Sequence, residues 1–146
     1  MTTRILTFKE DDLCLKYSEN PEYLQELMQE ITVKTKYVGY DYYFLGDKDK
    51  RDIIQVFIKK GDTTISFKFG MSLNDTGNYD NVDDLLYTIL ASVASDYYIP
   101  DDYTDFISEF GYDDNSDTKK LHRKCVVHAE KLHKIFTDED IEALPR

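Results

Sequence analysis

From Val33 to Phe69 apolar and polar residues alternate, whereas beyond about Val82 the apolar residues recur at steps of three and four. A change of period from two to 3.6 marks a passage from strands to helices. Three strand-like runs are predicted, Val33 to Leu45, Ile53 to Lys60 and Thr63 to Phe69, joined by turn-forming residues at Gly46 to Arg51 and Gly61-Asp62. Ile54, Val56 and Ile58 fall on one side of the resulting meander with Ile65, Phe67 and Phe69, and that side needs a helical cover.

The helices supply it. Asn20 can cap free amides and Pro21 suits a first turn, so a helix from Pro21 to about Ile31 would present Leu24, Leu27, Met28 and Ile31. After a Gly/Asn/Asp loop, Val82, Leu85, Leu86, Ile89, Leu90 and Val93 define the most apolar helix, running to about Ser95. A short helix from Asp101 to Phe110 ends at Gly111, and a long one follows from about Ser116 to Phe136. Thr137 with Asp140 reads as the cap of a last turn. The first twenty residues, with Ile5, Leu6, Phe8, Leu13 and Leu15 as anchors, leave their conformation open. The expected fold is a single α+β domain over residues 1–146: a three-stranded antiparallel meander covered by four to five helices, with a helical C-terminal half. Val33 to Leu45, carrying Tyr37, Tyr40, Tyr42 and Tyr43, would be an edge strand.

Charge changes this picture by being local. The net charge is -11, yet Lys68 and Lys119 bound a stretch with no Lys or Arg that holds twelve acids and six tyrosines. Carboxylates at helix starts complement the helix dipole, which gives Asp83, Asp84, Asp101, Asp102, Asp113, Asp114 and Asp117 a structural reason. Capping does not explain why bases are missing, nor the tyrosines, which are favoured interface anchors. The residues that best combine both features are Asp96, Tyr97, Tyr98, Asp101, Asp102, Tyr103, Asp105 and Glu109. Together they form a candidate partner-binding surface for a basic protein.

Other chemistry is thinly represented. His122, Cys125 and His128 are spaced along one predicted helix, but structural zinc wants four ligands and no second pair accompanies them, so no metal and no cofactor are expected. Asp113 to Asp117 resembles the opening of a calcium loop, but Thr118 stands where the loop needs Gly and Lys124 where it needs Glu. Phosphate-loop, dinucleotide, nucleophile-elbow and zinc-protease motifs are missing, so no enzyme is expected. Lys119, Lys120, Arg123, Lys124, Lys131 and Lys134 invite a nucleic-acid reading, which the neighbouring acidic segment opposes; direct nucleic-acid binding is therefore not expected. Two distant cysteines, an N-terminus without an apolar signal core and no membrane-length run fit a cytoplasmic protein without membrane contact. Oligomeric state is left open.

Four short stretches carry a resemblance: Phe67 to Ser72, Val82 to Leu86, Asp105 to Asp113 and Phe136 to Glu139. Together they resemble spaced landmarks of small accessory proteins from bacteriophages and conjugative elements, over about residues 63–142. The resemblance implies a mobile-element origin and a role among small acidic inhibitors of host defence, of the anti-CRISPR or anti-restriction type. The functional expectation is a non-enzymatic acidic binding protein that inhibits a host defence nuclease by occupying its basic nucleic-acid-binding cleft. Two alternatives are a protein-interaction module with an apolar contact and a small-ligand sequestering protein with Lys119, Lys120 and Arg123 around its pocket.

Overall fold

The alternation seen in the sequence becomes one antiparallel sheet whose inward positions meet in straight rows. The computed structural model describes residues 3–6, 13–42, 49–71, 85–100 and 102–145. In chain order the elements are β1 (Thr3–Leu6), α1 (Leu13–Lys16), α2 (Pro21–Glu30), β2 (Ile31–Asp41), β3 (Arg51–Lys60), β4 (Thr63–Met71), α3 (Leu85–Asp96), α4 (Tyr103–Phe110), α5 (Ser116–His133) and α6 (Asp138–Ala143). The strands lie in the order β1-β2-β3-β4. Pairing aligns Val33 with Ile58 and Ile65, Thr35 with Val56 and Phe67, and Tyr37 with Ile54 and Phe69. β-branched and aromatic side chains stacked across strands are the natural filling of a half-buried sheet. Gly61, at φ 61, takes the left-handed conformation in the two-residue connection between Lys60 and Thr63.

Among the described residues the helices pack on the inward face. Leu24 and Leu27 of α2, Leu85, Leu86, Ile89, Leu90 and Val93 of α3, Leu132 of α5 and Ile141 of α6 join the inward strand residues in one buried cluster. The ring of Phe67 on β4 meets His128 of α5 at 4.8 Å. A polar staple closes one end of this core. Asp140 of α6, 2% exposed, accepts hydrogen bonds from the Tyr23 hydroxyl of α2 (2.6 Å) and the Lys60 ammonium of β3 (3.1 Å). Ser18 adds a hydrogen bond from its hydroxyl to the carbonyl of Ala143.

The α+β class and the helical C-terminal half are as expected, while the strand count is corrected from three to four. The fourth strand is β1, which pairs with Val33 to Lys36 and converts the first half of β2 from an edge into an interior strand. Six helices are present among the described residues, against four to five expected. Ile31 starts a strand instead of closing a helix, and α5 stops at His133, three residues short of the expected end, as the last turn tightens around Lys134. The expected loop at 72–81 and the positions Tyr43, Asp83, Asp84 and Asp101 lie outside the described residues.

Candidate functional site

The acidic segment organises around α4. Asp102 caps the helix, its side chain accepting from the amides of Thr104 (2.7 Å) and Asp105 (3.2 Å). Gly111, at φ 72, closes it in a left-handed cap whose amide donates to Ile107. One inward residue, Phe106, anchors the helix. Its ring lies 4.9 Å from His122 of α5, 5.2 Å from Phe110 and 5.6 Å from Tyr112, on which it stacks. His122 in turn donates from Nε2 to the Pro100 carbonyl at 3.0 Å, tying the α3–α4 connection to α5. Eight residues of helix are thus held rigidly against a longer one.

With its anchor inward, α4 turns its carboxylates to solvent. Asp105, Glu109, Asp113 and Asp117 are exposed and hold no side-chain hydrogen bond or ion pair among the described residues. Among them stand exposed rings, Tyr98 at 56%, Phe110 at 49% and Tyr112 at 43%. Asp114 instead accepts from the Tyr103 hydroxyl at 2.9 Å. Desolvation first and this hydrogen bond second raise the Tyr103 pKa, so its phenol stays protonated. Lys119 reaches back over the Tyr103 ring at 5.9 Å and marks where the base-free surface ends.

The eight sequence-selected residues divide. Tyr98, Asp102, Asp105 and Glu109 come together on the solvent side of α4 and its N-terminal approach, with half-buried Tyr103 at the margin. Asp96 is half-buried and accepts from His128 Nε2 at 3.1 Å, which joins α3 to α5. Tyr97 is corrected from a surface contact to a core residue: it is 3% exposed, stacks on His133 at 3.9 Å and donates its hydroxyl to Asp138 at 2.8 Å. Burial, then that hydrogen bond, pushes its pKa up to about 12. Asp101 lies outside the described residues. Sequence reasoning missed Phe110 as a solvent-facing ring, although its place in the last turn before Gly111 was a usable signal. Of the expected caps, Asp102 serves as one, while α5 is capped by Asn115 and not by Asp113 or Asp114.

Other chemistry stays weak. No group of three or more His, Cys, Asp or Glu that could hold a metal is found among the described residues. Cys14 is buried and Cys125 half-buried, and the two are not joined in a disulfide. Burial, reinforced by Asp96, raises the Cys125 pKa, the opposite of what a nucleophile needs. Two shallow clefts of about 440 and 680 Å³ adjoin at the β3–β4 turn, sharing Glu30, Lys60 and Thr137. Neither is lined by Lys119, Lys120 or Arg123. No helix of the described residues is long and apolar enough to cross a membrane. No family model matches the chain, and neither a curated protein nor a solved structure does.

Proposed function

We propose that this chain is a non-enzymatic binding protein whose α4 edge docks on a basic, groove-shaped protein surface. One observation carries the reading. Asp105, Glu109 and exposed Phe110 on α4, which Phe106 holds against α5, are flanked by Tyr98 and Asp102 before the helix and by Tyr112, Asp113 and Asp117 after it, and residues 97–118 contain no Lys or Arg. Carboxylates displayed along a rigid helix suit a groove built for a polyanion, and rings at the centre of a charged patch suit a desolvated anchor. The resemblance to mobile-element accessory proteins supports a defence nuclease as the owner of that groove, and inhibition as the outcome.

The test uses the full chain immobilised and challenged with lysate of a bacterial host, then eluted with rising salt. Recovery of a basic nucleic-acid-binding nuclease, released at lower salt from an Asp102→Lys, Asp105→Lys, Glu109→Lys variant, is the expected result. Equal retention by the variant at every salt concentration refutes the charge-led contact. The exposed Phe110 and Tyr112 favour one second reading, an apolar interaction module. It is distinguished by a salt-resistant partner that Phe110→Ala releases and the charge reversals do not.

A further inference from the structure

α4 and α5 lie against each other and carry opposite charge. Helical spacing gathers each sign on one face: Asp102, Asp105 and Glu109 follow at steps of three and four along α4 and its cap, and Lys120, Arg123 and Val127 do the same along α5. All six are exposed. The change of sign is abrupt, for residues 97–118 contain no Lys or Arg, whereas residues 118–129 contain Lys119, Lys120, Arg123 and Lys124 and no acid. Yet the two helices do not satisfy each other. Asp105, Glu109, Lys120 and Arg123 hold no ion pair or side-chain hydrogen bond among the described residues, and the contact between the helices is aromatic instead, with Phe106 against His122 at 4.9 Å.

Exposed ring surface adjoins both charged faces. Phe110, 49% exposed, and Tyr112, 43% exposed, rest on Phe106 at 5.2 and 5.6 Å, which puts them at the α4–α5 seam. Val127 adds an aliphatic spot on the α5 side. A patch with one acidic half, one basic half and exposed rings is complementary to itself. Turned about a two-fold axis, it sets the acids of each copy against the bases of the other and gives the rings a place to be covered. Neither half alone could do so, since like charges would meet. Repulsion between two chains of net charge -11 does not forbid the contact. The Debye length at physiological salt is about 8 Å, so charges on the far sides are screened while those in the contact are not.

We infer that a second copy of this chain covers the α4 edge when no other partner is bound, with Lys120 and Arg123 of each copy meeting Asp102, Asp105 and Glu109 of the other. This rests on the reading of α4 as the binding edge and adds its regulation. The bases of α5 offer the carboxylates what a basic groove offers them, so self-association and partner binding compete for the same surface. A partner that binds the single chain and not the pair draws the pair apart by mass action. Until then the carboxylates and rings are held away from unrelated basic surfaces.

Sedimentation equilibrium of the full chain at physiological salt tests this. The wild-type chain approaches twice the chain mass as its concentration rises. Lys120→Glu with Arg123→Glu turns both halves of the contact acidic, and Asp102→Lys, Asp105→Lys, Glu109→Lys turns both basic. Each variant alone self-associates more weakly on the order of tenfold, because the two-fold axis repeats every reversed pair. Mixed in equal amounts, the two variants pair with each other about as tightly as the wild type does with itself, which misfolding cannot produce. A wild-type chain that stays monomeric at every concentration overturns the inference. So do variants that each self-associate like the wild type, or a mixture that stays monomeric. The lysate test keeps the two readings apart. Capture of a basic nuclease by a chain that sediments as a monomer upholds the α4 edge and overturns its covering, and a dimer that captures none does the converse. Where both hold, the Lys120→Glu, Arg123→Glu variant retains the nuclease to at least the salt concentration that the wild type does.

Discussion

Asp140→Ala should be among the most damaging polar substitutions in the molecule. The side chain is 2% exposed and receives the Tyr23 hydroxyl at 2.6 Å, the Lys60 ammonium at 3.1 Å and the Thr137 amide at 3.0 Å. It therefore joins α2, β3 and the start of α6 while forming half of the α6 capping box. Hydrogen bonds to a charged partner contribute about 1.5–3 kcal/mol each, but these share one carboxylate and do not add. Loss of a cap costs about 1 kcal/mol. Lys60 keeps 28% of its side chain exposed and can turn to water, so the full 3–5 kcal/mol of a stranded buried charge is not incurred. The expected destabilisation is about 3 kcal/mol, which for a chain of this size lowers Tm by about 10 °C.

Urea unfolding followed by circular dichroism measures it, with Asp140→Asn as the control that keeps an acceptor and loses the charge. Burial alone would raise the Asp140 pKa, but the bonds from Tyr23, Thr137 and Lys60 outweigh it and the carboxyl sits below its ordinary value. A depressed carboxylate contributes stability that is present above its unfolded pKa, about 4, and is lost as pH falls through the folded value. The wild-type chain should thus lose stability on acidification below about pH 4 more steeply than Asp140→Asn. A loss under about 1 kcal/mol for Asp140→Ala, or parallel acid profiles for the two chains, would show that the staple is an exposed pair of little consequence.

Tyr23 and Tyr97 are both held up to about 12, Tyr23 chiefly by its hydrogen bond to Asp140 and Tyr97 chiefly by burial, so the folded state prefers protonated phenols. Their contribution is complete below about pH 10 and lost as pH rises through 12; Tyr97→Phe should cost about 1 kcal/mol at neutral pH and flatten the alkaline limb of a thermal-melt series. Gly111→Ala meets open space but must adopt φ 72, so a loss of about 1 kcal/mol is expected in chemical denaturation, with α4 the first helix to lose amide protection. Cys125, with its raised pKa, should react with iodoacetamide at neutral pH more slowly than a free thiol in a short peptide, and Cys14 only on unfolding; fast labelling of either would contradict the burial.

What the sequence made legible is what acts over short separations. The Thr137–Asp140 box is a three-residue contact and reads directly, as do the caps at Asn20 and Gly111. The partners of Asp140 lie 117 and 80 residues away, and no local pattern points from Tyr23 or Lys60 to it. β1 spans four residues, too few for alternation to rise above noise, and only its pairing with Val33 to Lys36 identifies it. Tyr97 was misplaced although the signal existed. It stands four residues after Val93, on the buried stripe that runs through Leu86, Ile89 and Leu90, whereas Tyr98 falls one step off that stripe and stays in solvent. Counting tyrosines in an acidic run treated the pair alike; helical phase separates them.

The same distinction governs the charge. A net charge of -11 describes a field at distances where the whole molecule acts as a point, but partners bind within a Debye length, where only the local face matters. The fold places Asp105 and Glu109 on the solvent side of α4, in a stretch from Tyr97 to Thr118 without Lys or Arg, while the bases of α5 begin at Lys119. Salt should weaken a contact made through that stretch, and charge reversal there should weaken it while leaving contacts made elsewhere unchanged. That locality separates a binder led by one patch from a uniformly acidic protein, in which every added positive charge would shift all contacts together.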